Sequence, residues 1–480
     1  MTETCDHWLK LIHFHAAEPA QLQASTDGIT YTLLKLISNG AIGGNDALLS
    51  FSCELIEMAS KEQGMCNMPV KCSCTCLNID MDAGIEQSPD GVIWLMICFA
   101  LDEELDFSQF SCLINSLVAY LENQRFQDAC IQHAQLLEGI LQLLKRSYAV
   151  DVDEDDLQTL SQLRLKINQS LAEISGSPEF MEKHYTLDAR LSQTLISWIR
   201  ASHEEELQIC ACVVLGNLAR TDDICQRMVQ EFDMHRDLLS ILNTKNARGP
   251  VLHAALGFLK NLAIAPHNKS YLGDAGIVPA VSRLWSGMDM MPQVQFAAVT
   301  LVRQVIASCM ENIERLLSPS DDPPETHLSR LLVLFENTDS DPIKIDIGRT
   351  IVSMLRTLIP KARARDQKAI TLYDRLLNLH SHVARPIGAM VVQTQWPVVR
   401  SEGWFALALM ASTGPGSAAA VDCLEGEEVL NLLTETLDAE VPDGAAESDR
   451  SRITKDRDNA IILVKKLGNN SAVSISSKAG

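Results

Sequence analysis

Two stretches of the chain repeat nearly the same pattern, and that repetition restricts the fold more than any other feature. LQICACVVLGNLARTDDICQRMV begins at Leu207, and VLHAALGFLKNLAIAPHNKSYLGDAGIVPAVSRLW begins at Val251. Each is a small-residue helix running into L-x-N-L-A, then a polar turn, then a second apolar helix. Asn217 and Asn261 hold the same point of the unit, about 44 residues apart, a period typical of stacked helical repeats. A chain of 480 residues would ordinarily divide into several globular domains. Stacked repeats need no such division, because each buries its apolar face on its neighbours.

The unit can be followed in both directions. PQVQFAAVTLVRQVIASCMENIERLL starts at Pro292, where Arg303 and Gln304 take the places of Lys260 and Asn261. PIKIDIGRTIVSMLRTLI follows from Pro342, with Arg356 and Thr357 at those places, after a Pro-rich insert SPSDDPPETH. VVRSEGWFALALMAS begins at Val398 and TKDRDNAIILVKKLG at Thr454. Upstream the pattern is fainter, and the acidic run DVDEDDLQ from Asp151 interrupts it. The reading is all-α: a right-handed superhelix of roughly eight to ten stacked helical repeats. Its expected parts are divergent repeats over 1–125, repeats with the acidic insert over 126–200, clear repeats over 201–470 and a disordered tail over 471–480.

Composition agrees. Hydrophobic residues make up 46% of the chain and aromatics only 5%, so aliphatic side chains fill the core. Leu256, Leu259 and Leu262 mark one helical stripe. Gly276 separates two helices. The 14 cysteines lie mostly on apolar faces, which implies free thiols in a reducing compartment. The first residues lack a signal-peptide pattern, and the longest apolar run, Val92 to Leu101, is too short to span a bilayer. A soluble cytosolic protein is the expectation.

The net charge of −22 disfavours nucleic acid and anionic membranes, and favours either a basic partner or simple solubility. Phosphate loops, dinucleotide fingerprints and hydrolase or zinc-protease motifs are absent from the sequence, so neither catalytic residues nor cofactors are expected. His253 reads as a packed or groove-edge side chain. Cys66, Cys72, Cys74 and Cys76 form the one thiol cluster, but C-x-C-x-C is poor spacing for tetrahedral zinc, so no metal is expected. The recurring amides at Asn217 and Asn261 can either tie repeats together or meet a partner. Lys260, Arg303 and Arg356 can recognise acidic or carbonyl groups, or form a solvated face. Nuclear import adaptors carry a tryptophan one turn before each such asparagine. Val213 and Gly257 stand there instead.

LGNLARTDDICQRMV, HAALGFLKNLAIAPHNKSYLGDAGIVPAV, MPQVQFAAVTLVRQVI, GRTIVSMLRTLI, SEGWFALALMA and RDNAIILVKKL occur in an order that resembles the armadillo-repeat smgGDS family, the GDP-dissociation stimulators of small GTPases. The likeness is carried by Leu191 to Leu467. It implies an armadillo-type α-solenoid that binds Rho- and Rap-type GTPases with basic, prenylated tails, promotes GDP release and chaperones the lipidated end. Matched to the family's groove, Asn217, Arg220, Lys260, Asn261, Arg303, Gln304, Arg356, Glu402 and Asn459 would contact the GTPase. Asp151, Asp153, Glu154, Asp155 and Asp156 would receive the basic tail. The resemblance further implies a monomer without catalytic residues of its own. The alternative is an armadillo scaffold without exchange activity.

Overall fold

In a computed structural model the described residues are 89–478, apart from 185, 202, 287–290, 321–324, 394 and 442–445, together with a few helical positions between 33 and 57. They divide into two compact units, Met1–Leu218 and Ala219–Gly480. The Cys66–Cys76 cluster lies outside the described residues. So do most of residues 1–88, within the segment expected to hold divergent repeats.

The first unit contains α1 (Pro89–Ala100), α2 (Phe107–Leu121), α3 (Gln124–Gln132), α4 (Ala134–Arg146), α5 (Leu157–Gly176), α6 (Pro178–His184), α7 (Arg190–Ala201) and α8 (Glu205–Leu218). Three kinds of helix alternate. Short first helices (α3, α6) pack on each other, as do second helices (α1, α4, α7) and third helices (α2, α5, α8). Turn chemistry sets the boundaries. Asp106 accepts the Gln109 amide to start α2, and Asn123 accepts that of Arg125 to start α3.

The second unit continues the alternation with α9 (Asp222–Gln230), α10 (Met234–Asn243), α11 (Gly249–Leu262), α12 (Asn268–Asp274), α13 (Ile277–Ser286), α14 (Pro292–Ile306), α15 (Met310–Leu316), α16 (His327–Asn337), α17 (Asp341–Arg363), α18 (Gln367–Leu379), α19 (Arg385–Val391), α20 (Pro397–Met410), α21 (Gly414–Leu424), α22 (Glu427–Asp438) and α23 (Glu447–Lys478). First helices α9, α12, α15, α18 and α21 pack in series, and so do third helices α11, α14, α17, α20 and α23. The described residues hold seven complete three-helix repeats and the last two helices of one more, an all-α armadillo solenoid. Helix α23 runs to Lys478, into the segment that the sequence reading gave to a disordered tail. No proline interrupts it.

The core is aliphatic as its composition requires. Leu256, Leu259 and Leu262 on α11 are 0% exposed. Gly276 takes φ +89° between α12 and α13, a conformation closed to most side chains. Buried asparagines stitch the first helices. Asn268 Nδ2 donates to the Cys225 carbonyl one repeat back and to Leu262, and Asn312 Nδ2 donates to Lys269 and Val305 in the same way. The Pro-rich insert is pinched at its base by the Pro319–Thr326 bridge, with the Ser320 amide donating to the Glu325 carbonyl at 2.7 Å.

Candidate partner-binding surfaces

The third helices present one stripe each to solvent, because residues two turns apart share a face. In the second unit the stripes carry His253 and Lys260 on α11, Phe296 and Arg303 on α14, Arg349 and Arg356 on α17, and Val398 and Phe405 on α20. Phe296 is 40% exposed and Val398 65%. A Cβ at Gly257 would meet nothing within 4 Å, so this face of α11 is open.

The three cations that look alike in the sequence have different fates. Lys260 is exposed and makes no hydrogen bond or ion pair among the described residues. Arg303 Nε lies 3.0 Å from the Asp346 carboxylate on the next third helix, whose side chain is only 6% exposed. The two charges attract without hydrogen-bond alignment, since Arg303 Nε and Asp346 Oδ2 have no hydrogen-bond partner. Arg356 lies over the Phe405 ring, 5.2 Å from its centroid. Arg303 is therefore an inter-repeat tie. Sequence could not show this, because Asp346 and Phe405 come from the following repeat.

Glu402 also has a partner within the stack. It accepts from Arg349 Nε at 2.8 Å, tying α17 to α20. Asn459 on α23 is 9% exposed, and its Nδ2 is buried without a partner. It faces the packed side of the stack. Gln304 is half-buried on α14 beside Arg303, and Asn261 is half-buried at the end of α11, its carbonyl facing the Cys225 thiol. Arg220 is exposed in the turn before α9. Two aromatic positions of this face, Phe296 and Phe405, escaped the sequence reading. Phe296 stands two turns before Arg303, and Phe405 takes the register of Lys260, Arg303 and Arg356 in the next repeat; the signal for both was the two-turn spacing itself.

In the first unit Asn217 is a structural tie. Its Nδ2 donates to Ser175 Oγ at 2.9 Å and to the Ala172 carbonyl at 3.3 Å, both near the far end of α5. The acidic run occupies the opposite end of that helix. Asp151, Asp153, Glu154 and Asp155 are exposed, Asp156 is half-buried, and Glu154–Asp156 form a single 3-10 turn leading into α5. Negative charge there suits the positive end of the helix dipole. A helix of 20 residues is about 30 Å long, so the structure does not bring Asn217 and the acidic turn together.

What does gather around that turn is more acid. The loops between second and third helices lie side by side in successive repeats. The first holds Asp102, Glu103, Glu104 and Asp106, all exposed, and the third holds Glu204 and runs into Glu205 and Glu206 in the first turn of α8. Side chains join these loops. Arg146 donates to the Ala100 carbonyl, and burial lowers its pKa while Asp102 and Glu103 oppose that shift. Tyr148 donates to Glu206 at 2.6 Å, Arg164 stacks on the Tyr148 ring at 3.7 Å, and Asn168 donates to the Glu206 carbonyl. Burial, then the Glu206 contact, raises the Tyr148 pKa. The result is a carboxylate ridge along one edge of the first unit. The sequence reading found only its middle third.

Among the described residues no group of three histidine, cysteine or carboxylate side chains could hold a metal ion, and no helix is long and apolar enough to cross a membrane.

No protein-family model matches the chain. Curated relatives do. Rap1 GTPase-GDP dissociation stimulator 1-B of Xenopus laevis is 26% identical over 227 residues, 46% of this chain and 35% of that protein. Its 1-A counterpart is 27% identical over 187 residues, 38% of the chain and 29% of the relative. The Drosophila melanogaster GTPase-GDP dissociation stimulator vimar is 29% identical over 100 residues, 20% of the chain and 16% of the relative. Over the matched stretches the chain is similar to GDP-dissociation stimulators of small GTPases. Its match spans about a third of the length of the first of these relatives. Among solved structures, an engineered protein gives a TM-score of 0.51 at 16% identity, over 92% of this chain and 99% of its own, a likeness of fold. A designed armadillo repeat protein bound to a (KR)4 peptide gives 0.42 at 18% identity, over 57% of this chain and 100% of its own.

Proposed function

We propose that this protein binds small GTPases of Rho or Rap type and speeds their loss of GDP. The single observation that carries the reading is the match to proteins named as GDP dissociation stimulators. The geometry adds support. The third-helix face of the second unit sets an exposed aromatic side chain, Phe296, near exposed Arg356 and Lys260, and aromatic residues and arginine are enriched at protein interfaces. This face, within the 201–470 region, would hold the nucleotide-binding domain through Lys260, Arg356, Gln304 and Asn261, with Arg220 at its edge. The ridge containing Asp151, Asp153, Glu154, Asp155 and Asp156 would attract the basic tail of the GTPase.

No covalent step is needed. A protein that binds the nucleotide-free or distorted state of a GTPase more tightly than the GDP-bound state lowers its affinity for GDP, and by no more than that difference in affinity. Encounter is steered by charge and weakens with salt. Recognition of a prenyl group, action as a cytosolic monomer and chaperoning of lipidated tails belong to the same proposal. The test is GDP release from a panel of purified GTPases with basic tails, lipidated and unlipidated. Faster release by at least one is the expected result. If none binds or releases GDP faster, the reading is lost. Binding without faster release would leave the scaffold reading.

A further inference from the structure

The second unit contains a cleft of about 690 Å³, away from the third-helix face, between α9, α12 and the turn that joins α14 to α15. Its size falls within the ordinary range of ligand pockets. The side chains that matter are Gln226 and Gln230 from α9, Lys269, Ser270 and Tyr271 from α12, and Glu311 from α15.

Lys269 is the unusual member. It is only 9% exposed, and its ammonium group donates one hydrogen bond, to the Ala307 carbonyl at 2.7 Å. An ammonium has three donors, so two remain unused. No carboxylate pairs with it among the described residues. Glu311, the one acid lining the cleft, stands 3.8 Å from Lys368, and Lys361 also bears on it. A cation buried without a counter-ion is costly, and lysines almost never occupy such places unpaired. Burial lowers the Lys269 pKa, which is the expected mark of a charge lacking its partner.

We propose that the cleft is a binding site for a phosphate monoester, with its oxygens held by the Lys269 ammonium and by the Gln226, Gln230 and Ser270 side chains. A phosphate offers three terminal oxygens to these donors lining the cleft, where a carboxylate offers two. The organic part of the ligand has a surface to lie on, because the Tyr271 side chain at the cleft is 47% exposed. Nothing in the GTPase reading requires this site, and the two can fail separately.

The test uses the full chain and phenyl phosphate as probe, with inorganic phosphate and succinate as comparisons, titrated by calorimetry at constant ionic strength. Phenyl phosphate should bind saturably, about tenfold or more tighter than succinate. Lys269→Met and Gln230→Glu should each weaken it by about tenfold or more, the second by placing a negative charge at the site on an exposed residue. Should Lys269→Met fail to fold, Gln230→Glu decides alone. The proposal is overturned if phenyl phosphate does not saturate, if succinate binds as well, or if a folded variant binds unchanged.

Discussion

Lys260 and Arg303 occupy the same register of successive repeats, yet their removal should have opposite consequences. Arg303 pairs at 3.0 Å with Asp346, whose side chain is 6% exposed. Arg303→Ala strands that carboxylate in the α14–α17 interface. Breaking a fully buried pair costs about 3–5 kcal/mol. The Arg303 side chain is 32% exposed, so water can enter the vacated space, and the expected loss falls to about 2–3 kcal/mol. Lys260→Ala removes an exposed side chain and should stay within about 0.5 kcal/mol of the parent. Urea unfolding followed by tryptophan fluorescence is a suitable assay, because Trp285 and Trp404 in this unit are both fully buried. The double variant Arg303→Ala/Asp346→Asn should recover more than half of the loss, because no charge is then left stranded. A loss for Arg303→Ala as small as that for Lys260→Ala, or coupling between Arg303 and Asp346 below about 0.5 kcal/mol, would refute the claim that Arg303 serves the stack. Lys260→Glu, in contrast, should weaken GTPase binding without moving the unfolding midpoint.

Asn312→Ala should destabilise by about 1–3 kcal/mol in the same urea assay, since it removes two buried hydrogen bonds that tie the repeat to Lys269 and Val305. Gly348→Ala should cost about 1–3 kcal/mol, because the added methyl would stand 2.7 Å from the Pro386 carbonyl, and a midpoint equal to the parent's would refute that packing. Burial pulls the His380 pKa down from 6.5 to about 4. The unfolded chain therefore takes up this proton first. Stability from keeping the ring neutral is intact above about pH 6.5 and falls as pH drops towards 4, by roughly 2–3 kcal/mol, a slope that His380→Gln should flatten. Reversing Asp153, Glu154 and Asp155 to lysine should slow association with a basic-tailed GTPase at least several-fold at low salt and little at high salt, as stopped-flow measurements would show.

The period of the repeat was legible because it is written in local pattern: small residues, a leucine stripe and a polar turn, each governed by neighbours in sequence. The stacking of third helices followed from it. The role of each polar residue was not legible, since the repeat that completes it lies downstream. Arg303 and Arg356 look equivalent until Asp346 and Phe405 are seen beside them. The ladder asparagines were sought at Asn217 and Asn261. Asn217 does tie α8 to α5, but the fully buried pair is Asn268 and Asn312 on the first helices, where nothing in the sequence distinguishes them from surface amides. The acidic ridge was seen only at DVDEDDLQ, because its flanks are shorter runs separated in the chain by whole repeats.

The pinched base of the Pro-rich insert has a practical meaning. The Pro319–Thr326 bridge fixes the distance between the ends of the insert whatever lies between them, and lengthening a closed loop costs only fractions of a kcal/mol per doubling. A reporter domain or an epitope grafted between Ser320 and Glu325 should leave the repeats on either side undisturbed, which makes this the natural handle for tethering the protein to a surface or a dye.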